Sequence, residues 1–250
     1  MEKTILKEAM SIVNEFDIDK SNYKEIMSDN IITRDASNKV YAKNHSPANK
    51  IRVNFLPNVK NAIVFFGYDL EATGDIIIHQ SNGIVYIGNH VNLSKVEIRT
   101  QALGSCVIVG NNVTASGYNR WYTGSYPGSK FSSIIIGDDC MFSYEITVRS
   151  SDNHPVMSLD FKTQLNSPFD YVVVEPYVWV CQGAKILKST RIGALSIIGA
   201  SAIVTKSVPR HSKVFGAPAR FDKLEGVWLR NRSPASTATA QKYLQKYLGK

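Results

Sequence analysis

The feature that most constrains the fold is a run of aliphatic residues at every sixth position between residues 172 and 209. The residues at this spacing are Val174, Val180, Ile186, Ile192, Ile198 and Val204. An α-helix places apolar residues three and four positions apart, and a half-buried strand alternates apolar with polar residues. A spacing of six fits neither element. It indicates short straight segments separated by corners, each pointing one large side chain inward.

A second set of residues follows the first by four positions and contains only small or β-branched side chains. This set is Val178, Ala184, Thr190, Ser196, Ala202 and Val208. The two sets together form the hexapeptide pattern of a parallel β-helix, in which three hexads complete one coil. We therefore predict that inward residues three hexads apart stack directly, with Val174 against Ile192.

Two stretches interrupt the pattern, the first between Thr114 and Ile134 and the second between Asp152 and Tyr171. In-phase hexads reappear on both sides of the first interruption, and Val109 and Ile136 are 27 residues apart, which is one coil plus nine residues. We interpret both interruptions as loops that leave the coil at its corners. In repeat folds such insertions commonly lie on the binding face.

Three segments carry a resemblance to a known family. They are IGDDCMFSYEITVRSSDNHP (136–155), VWVCQGAKIL (178–187) and IIGASAIVTKSVPRHSKVFGAPAR (197–220). With the hexads, over residues 84–223, they resemble the left-handed β-helix (hexapeptide-repeat) acyltransferases, and among these the bacterial polysaccharide and sugar O-acetyltransferases. The resemblance implies an all-β fold with a left-handed parallel β-helix, acetyl-CoA as co-substrate without a metal, and a homotrimer with active sites between subunits.

The repeats divide the chain into three parts. Residues 1–55 are predicted as an N-terminal helical and irregular extension, residues 56–223 as the β-helix, and residues 224–250 as a linker and a short C-terminal helix. Apolar residues at helical spacing predict an amphipathic N-terminal helix from Ile5, Ala9, Ile12, Val13 and Phe16. Charged residues between them argue against a signal peptide, and an odd number of cysteines is typical of a reducing compartment. We expect a cytoplasmic protein.

His154 is the candidate catalytic base. It opens the second loop in SSDNHP, and Pro155 restricts it to an extended backbone. Acetyl transfer to a hydroxyl requires a base that works near neutral pH, and imidazole is such a group; the resemblance assigns this role to a histidine at this place. Asp152 could orient the ring or only cap the turn. The other histidines (His45, His79, His90, His211) are scattered without metal-ligand spacing.

The resemblance also implies a donor site. A tryptophan at the position of Trp179 lies near the acetyl group in the family, and strand alternation directs it outward here, where a loop, a ligand or a neighbouring subunit must cover it. Backbone amides near Trp179 and Gln182 would stabilise the oxyanion. The positions that match coenzyme A contacts are Gln182, Ala200, Thr205, Lys206, Arg220 and Lys223.

The acceptor is predicted to bind at the first loop, GYNRWYTGSYPGSK, whose aromatic side chains suit sugars: Tyr118, Trp121, Tyr122 and Tyr126. The alternative is that this loop packs between subunits. The net charge of +8, with Arg120 and Lys130 beside the aromatic residues, favours a polyanionic acceptor such as a sialic-acid polymer. Cys140 is expected in the core, and Cys181 is a weak candidate for a nucleophile because no nearby residue lowers its pKa.

The sequence therefore predicts an acetyl-CoA-dependent O-acetyltransferase of a sugar hydroxyl, in a cell-surface or capsular polysaccharide. Two alternatives stay open: an N-acetyltransferase acting on an amino sugar-nucleotide, and a non-catalytic β-helix that serves as a scaffold. We expect neither a nucleic-acid partner, since no binding module occurs, nor membrane insertion, since no apolar run is long enough.

Overall fold

The computed structural model describes residues 2–43, 49–124, 131–166 and 171–250. These residues contain the helices α1 (Glu2–Ile12) and α2 (Pro234–Leu248) and a 3-10 turn (Lys20–Asn22). The strands, in chain order, are β1 (Lys24–Glu25), β2 (Ile31–Ile32), β3 (Lys39–Ala42), β4 (Asn49–Phe55), β5 (Ile63–Phe66), β6 (Glu71–Ile78), β7 (Ile84–Ile87), β8 (Asn92–Thr100), β9 (Cys106–Val109), β10 (Thr114–Ala115), β11 (Asn119–Tyr122), β12 (Ser133–Ile136), β13 (Met141–Phe142), β14 (Thr147–Arg149), β15 (Tyr171–Val174), β16 (Trp179–Val180), β17 (Lys185–Ile186), β18 (Thr190–Ile192), β19 (Ile197–Ile198), β20 (Ile203–Val204), β21 (Ser212–Phe215) and β22 (Arg220–Lys223).

The strands form three faces of a parallel β-helix. The first face pairs β3, β5, β7, β9, β12, β15 and β18 in parallel, with β1 antiparallel at its edge. The second face pairs β10, β13, β16, β19 and β21, and the third pairs β11, β14, β17 and β20. Near the N-terminal end the second and third faces are continuous, because β8 pairs with β10 through its first residues and with β11 through its later ones.

The six-residue spacing predicted the stacking correctly. Val174 pairs with Ile192, Val180 with Ile198, and Ile186 with Val204. Both predicted sets of inward residues are buried, and so is Cys140. Because each coil places its large side chains over those of the next, the interior is one continuous apolar column along the length of the β-helix.

Polar side chains connect the coils at the corner between the first and second faces. Asn89 Oδ1 accepts a hydrogen bond from the Tyr68 amide, Asn111 Oδ1 from the Asn89 amide, and Asp138 Oδ1 from the Asn111 amide. A glycine precedes each of these residues because the stacked coils leave no room there for a side chain: a Cβ on Gly110 would lie 2.6 Å from Asp138 Oδ1. The recurring Gly-Asn and Gly-Asp pairs of the hexads are thus explained by close stacking at this corner.

The N-terminal helix packs on the outside of the first face. Ile5, Ala9, Ile12 and Val13 of the predicted apolar stripe are buried, and their cluster includes Tyr86 and Ile135 on outward positions of the first face. Strand pairing begins before residue 56, since β3 pairs in register with β5 and β4 with β6. The predicted boundary between extension and β-helix therefore falls within the series of paired strands.

The C-terminal helix packs on the second face. Tyr177 and Trp228 exchange hydrogen bonds between side chain and backbone, at 3.0 and 3.1 Å, and Tyr243 of α2 packs against Tyr177. The linker predicted within residues 224–250, which included the segment RSPASTATA, is wrong from Pro234 onward, because α2 begins there and Ser233 caps its N-terminus by accepting a hydrogen bond from the Ser236 amide. The alanine and threonine residues that follow Pro234 form the first turns of α2.

Both interruptions of the repeat lie at the same corner, where the third face meets the first. The first comprises residues between β11 and β12, and the second comprises residues between β14 and β15. The 27-residue spacing is confirmed by the pairing of Val109 with Ile136. However, Asn119–Tyr122 is part of the coil rather than of the loop, because it pairs with both β8 and β14.

Candidate active site

His154 lies on the loop after β14, with an exposed side chain. Its backbone carbonyl accepts a hydrogen bond from Asn166 Nδ2 at 2.8 Å, and Asn166 Oδ1 accepts one from the Val156 amide at 2.8 Å. Asn166 therefore ties the start of the loop to its far end and fixes the backbone on both sides of Pro155. Nothing in the spacing of the sequence pointed to Asn166.

Asp152 anchors the same loop to the next coil. Its Oδ2 accepts hydrogen bonds from Lys188 Nζ at 2.7 Å and from Asn166 Nδ2 at 2.9 Å. Partial burial opposes its ionisation, but these two donors hold the pKa of Asp152 below its ordinary value. Within the described residues none of its bonds goes to the His154 ring, so the structure assigns Asp152 to the loop anchor and leaves ring orientation a prediction.

Two basic side chains lie at the corner of the β-helix from which the His154 loop leaves. Lys188 follows β17 and Lys206 follows β20, and adjacent coils are about 4.8 Å apart. The coils are joined here by the Arg191 amide, which donates to Ser207 Oγ at 3.0 Å. Lys206, a predicted donor residue, is exposed and follows β20 at the corner where the His154 loop follows β14.

The third face presents cations to solvent, and we call the outward positions of β11, β14 and β17 the basic face. Its cations are Arg120, Arg149 and Lys185, and no carboxylate of the described residues forms an ion pair with any of the three. Arg149 lies five residues before His154 in the sequence. The candidate base therefore lies at the border of a positively charged surface.

Tyr122 is held within this face rather than free to stack on a sugar. Its ring lies between Arg99, 5.0 Å from the ring centre, and Arg149, at 5.9 Å. Partial burial and a hydrogen bond to Glu97 raise its pKa to about 12. The strand register aligns Tyr122 with Arg99 of β8 and with Arg149 of β14. This alignment cannot be read from the sequence, because the inserted residues break the six-residue spacing.

The remaining predicted acceptor residues differ in their exposure to solvent. Tyr118 is 58% exposed. The prediction for Trp121 is wrong: strand alternation in β11 points it inward, where it is fully buried and packs on Phe142 with ring centres 5.3 Å apart. Tyr126 and Lys130 lie outside the described residues.

Trp179 points outward from the second face, as predicted, and the chain's own C-terminal segment covers it. It packs in the cluster of Tyr177, Trp228 and Tyr243, with its ring centre 6.2 Å from that of Trp228. Its backbone amide donates to the Ser196 carbonyl at 3.0 Å, so this amide is not available to an oxyanion. One chain places Trp179 and His154 on different faces and does not bring them together.

The predicted donor residues are exposed but lie in three places. Gln182 and Ala200 lie at the corner between the second and third faces, where Gln182 Nε2 is 3.3 Å from Glu145 Oε2. Thr205 and Lys206 lie at the opposite edge of the basic face. Arg220 and Lys223 lie on β22, antiparallel to β21 on the second face. These positions surround the basic face without forming one cluster.

Other chemistry has weaker support. Across the described ranges, no three His, Cys, Asp or Glu side chains are grouped so as to hold a metal ion. Burial raises the pKa of the Cys181 thiol, which disfavours the thiolate that nucleophilic catalysis requires. In the part of the chain that the structure covers, no helix is both long and apolar enough to cross a bilayer.

Comparison with known proteins confirms the resemblance to sugar and polysaccharide O-acetyltransferases. The chain is 30% identical over 127 residues to a polysialic acid O-acetyltransferase of Escherichia coli O1:K1, covering 51% of this chain and 39% of that protein. It is 34% identical over 87 residues to a galactoside O-acetyltransferase of Lactococcus lactis, covering 35% of this chain and 41% of that protein. The matches thus span about two fifths of the length of these relatives. No family model matches.

Two solved structures share the fold. The polySia specific acetyltransferase NeuO superposes with a TM-score of 0.65 at 22% identity, over 88% of this chain and 92% of that one. The polysialic acid O-acetyltransferase OatWY superposes with a TM-score of 0.65 at 20% identity, over 77% of this chain and 95% of that one. The predicted fold class, a left-handed parallel β-helix with a short C-terminal helix, is confirmed.

Proposed function

We propose that this protein is an acetyl-CoA-dependent O-acetyltransferase that acetylates a sugar hydroxyl in an acidic cell-surface or capsular polysaccharide. The observation that carries the proposal is the position of His154, which is exposed at the border of the basic face. Its support is that four of the relatives matched in sequence are named O-acetyltransferases, two of them of polysialic acid.

In the proposed reaction His154 takes the proton of the acceptor hydroxyl while the hydroxyl oxygen attacks the carbonyl carbon of the thioester. The carbon–sulfur bond then breaks, and the leaving thiolate of coenzyme A recovers the proton from the imidazolium. No covalent enzyme intermediate is required, in keeping with the raised pKa of Cys181. Asn166, Asp152 and Lys188 keep the loop that carries the base in place.

The donor site is proposed at Gln182, Ala200, Thr205, Lys206, Arg220 and Lys223. Lysine and arginine side chains suit the phosphate oxygens of coenzyme A, and the absence of a bulky side chain at Ala200 allows close approach to the backbone. Trp179 is proposed near the acetyl group. Since one chain separates Trp179 from His154, this part of the proposal requires a second subunit beside the first.

We further propose a homotrimer in the cytoplasm. Support for assembly comes from the loop of residues 156–165, which exposes Leu159 by 99% and Phe161 by 81%, since apolar side chains this exposed are typical of contact surfaces. Support for the location comes from the three cysteines, Cys106, Cys140 and Cys181, all of which are free.

The proposed function is tested with purified protein, acetyl-CoA and a panel of acidic, neutral and amino sugars. His154→Ala should bind acetyl-CoA as the wild type does and transfer acetyl groups about 10²–10⁴-fold more slowly, because a positioned base contributes a factor of this size. Cys181→Ser is the matched control and should keep full activity. Full activity of His154→Ala would remove the base from the mechanism, and transfer only to amines would favour the N-acetyltransferase alternative.

A further inference from the structure

A groove of about 350 Å³ opens on the third face, nearer the N-terminal end of the β-helix than His154. Cavities that bind small molecules start at about this size. Its charged and aromatic lining comes from β4, β6, β8, the corner before β11 and β11 itself: Arg52, Asp75, Lys95, Glu97, Tyr118 and Arg120. The acetyl-transfer mechanism uses none of these side chains.

The sheet beside the groove carries a bulge, where the single residue Thr73 of β6 faces two residues, Ser94 and Lys95, of β8. The pairing between β6 and β8 shifts register between Ala72 and Gly74. Gly74 has a φ of 117°, and a Cβ there would lie 2.1 Å from the Val96 carbonyl oxygen. Only glycine fits this backbone, and Gly74 therefore lines the groove without a side chain.

The free charge in the groove is positive. Asp75 is bound by Arg52 through two bonds, from Nε at 2.7 Å and Nη2 at 3.0 Å. Glu97 is paired with Arg99 at 2.6 Å and also accepts from the Tyr122 hydroxyl. Both carboxylates are therefore neutralised, whereas Lys95 and Arg120 have no carboxylate partner among the described residues.

Tyr118 adds an apolar surface beside these cations. Its ring is 58% exposed, and Lys95 Nζ lies 5.0 Å from the ring centre and 3.3 Å from the hydroxyl oxygen. An aromatic face packs against the C–H side of a sugar ring, while ammonium and guanidinium groups bind a carboxylate. The combination suits a sugar that carries a carboxyl group.

We propose that this groove binds a carboxylate-bearing sugar residue of the acceptor polymer, distinct from the residue that is acetylated. The proposal rests on the acidic acceptor of the proposed function. β8 lies two strands from β14, which is roughly 10 Å along the axis of the β-helix. A polymer held in the groove would continue along Arg120 and Arg149 to reach His154.

Binding of a short oligosialic acid, measured by calorimetry without acetyl-CoA, tests this inference. The double variant Lys95→Gln with Arg120→Gln should bind about tenfold more weakly or worse, because two charged hydrogen bonds are lost. Tyr118→Ala should also weaken binding. Lys20→Gln with Arg232→Gln removes the same two charge types from exposed positions elsewhere and should bind as the wild type does. Equal thermal midpoints would show that all variants fold.

The result separates the groove from the reaction. Wild-type affinity in the double variant, equal affinity for an oligomer whose carboxyl groups have been reduced to alcohols, or no binding by the wild type would each overturn the groove. His154→Ala should bind the oligomer normally. If the groove variants weaken binding but the wild type transfers acetyl groups to no glycan, the proposed function alone is overturned. If the wild type transfers acetyl groups but the groove variants bind the oligomer normally, the groove proposal alone is overturned.

Discussion

At the scale of single residues, Glu175 shows how a buried charge is kept ionised. Its side chain is 3% exposed and forms ion pairs with Arg191 at 2.8 Å and Arg210 at 2.6 Å. Arg191 also binds Glu8 of α1 at 2.8 Å. Burial acts to raise the pKa of Glu175, but the hydrogen bonds from Arg210, the Ala194 amide and Arg191 outweigh it and lower the pKa.

Glu175→Gln should therefore lower the free energy of unfolding by about 3 kcal/mol at neutral pH, because it leaves two arginines without their buried partner. A lowered pKa stabilises the fold above the unfolded-state value near 4.5, and this stabilisation is lost as the pH falls through the folded-state value. The difference between variant and wild type should thus shrink in acid, measured by urea unfolding over a pH series.

Glu25→Gln is the matched control, because its pair with Lys39 is largely exposed and should contribute little. If the loss of stability in Glu175→Gln stayed constant down to acidic pH, it could not come from an ionised Glu175 carboxylate in the folded protein.

The donor residues give a second prediction at this scale. Lys206→Ala and Arg220→Ala should each raise the Michaelis constant for acetyl-CoA several-fold with little change in kcat, since phosphate contacts stabilise substrate and transition state alike. Lys223→Ala should behave in the same way, and Lys20→Ala, at an exposed position of the 3-10 turn, should not. Unchanged Michaelis constants would remove these residues from the donor site.

The sequence predicted residues best where the repeat is uninterrupted. The inward positions from Val174 to Val204 follow from spacing alone, because every coil there has the same length. Trp121 was wrongly predicted to bind the acceptor, because the residues inserted after β11 hide the register that places Asn119–Tyr122 in the coil. Asn166 and Lys188 could not be predicted, because their roles depend on how a folded loop returns to its own corner.

At the scale of elements, the C-terminal helix forms part of the site's surroundings. Tyr243 is fully buried, and its hydroxyl donates to Asp139 Oδ2 at 2.6 Å. Arg230, just before the helix, donates to the carbonyls of Asn112 and Cys140 at 2.8 and 2.9 Å. The helix is thus fastened to the coils above Trp179 as well as packed over it.

Tyr243→Ala should lower the free energy of unfolding by about 3 kcal/mol, the lower end of values for losing a buried aromatic ring. Trp179 and Trp228 should become more exposed, which shifts their fluorescence to longer wavelength. Tyr243→Phe keeps the ring and should cost only about 1 kcal/mol through the lost hydrogen bond, without a spectral shift. Equal effects of the two variants would show that the ring does not hold the cluster together.

At the scale of the whole molecule, the three faces differ in what covers them. The first face lies under α1 and part of the second lies under α2, whereas no helix of the described residues packs on the third, where Arg120 and Lys185 are exposed. Periodicity alone does not decide the hand of the coil. The resemblance implied the left hand, and the shared fold with NeuO and OatWY confirms it.

The proposed trimer is testable at this scale. The wild type should elute as a trimer by light scattering. Leu159→Ser with Phe161→Ser should weaken the assembly and reduce acetyl transfer, because it removes the two most exposed apolar side chains beside His154. Tyr144→Ser, which changes an exposed aromatic residue elsewhere, should keep both. A fully active monomer would contradict the intersubunit site.

Both inserted loops leave the β-helix at one corner, while the parallel strand pairing and the apolar column continue past them without a break. A change in the length or composition of either loop therefore alters what the edge beside His154 can recognise without disturbing the coils that fold the protein. On the proposed function, such an architecture would allow the choice of glycan to change through these loops while the scaffold stays constant.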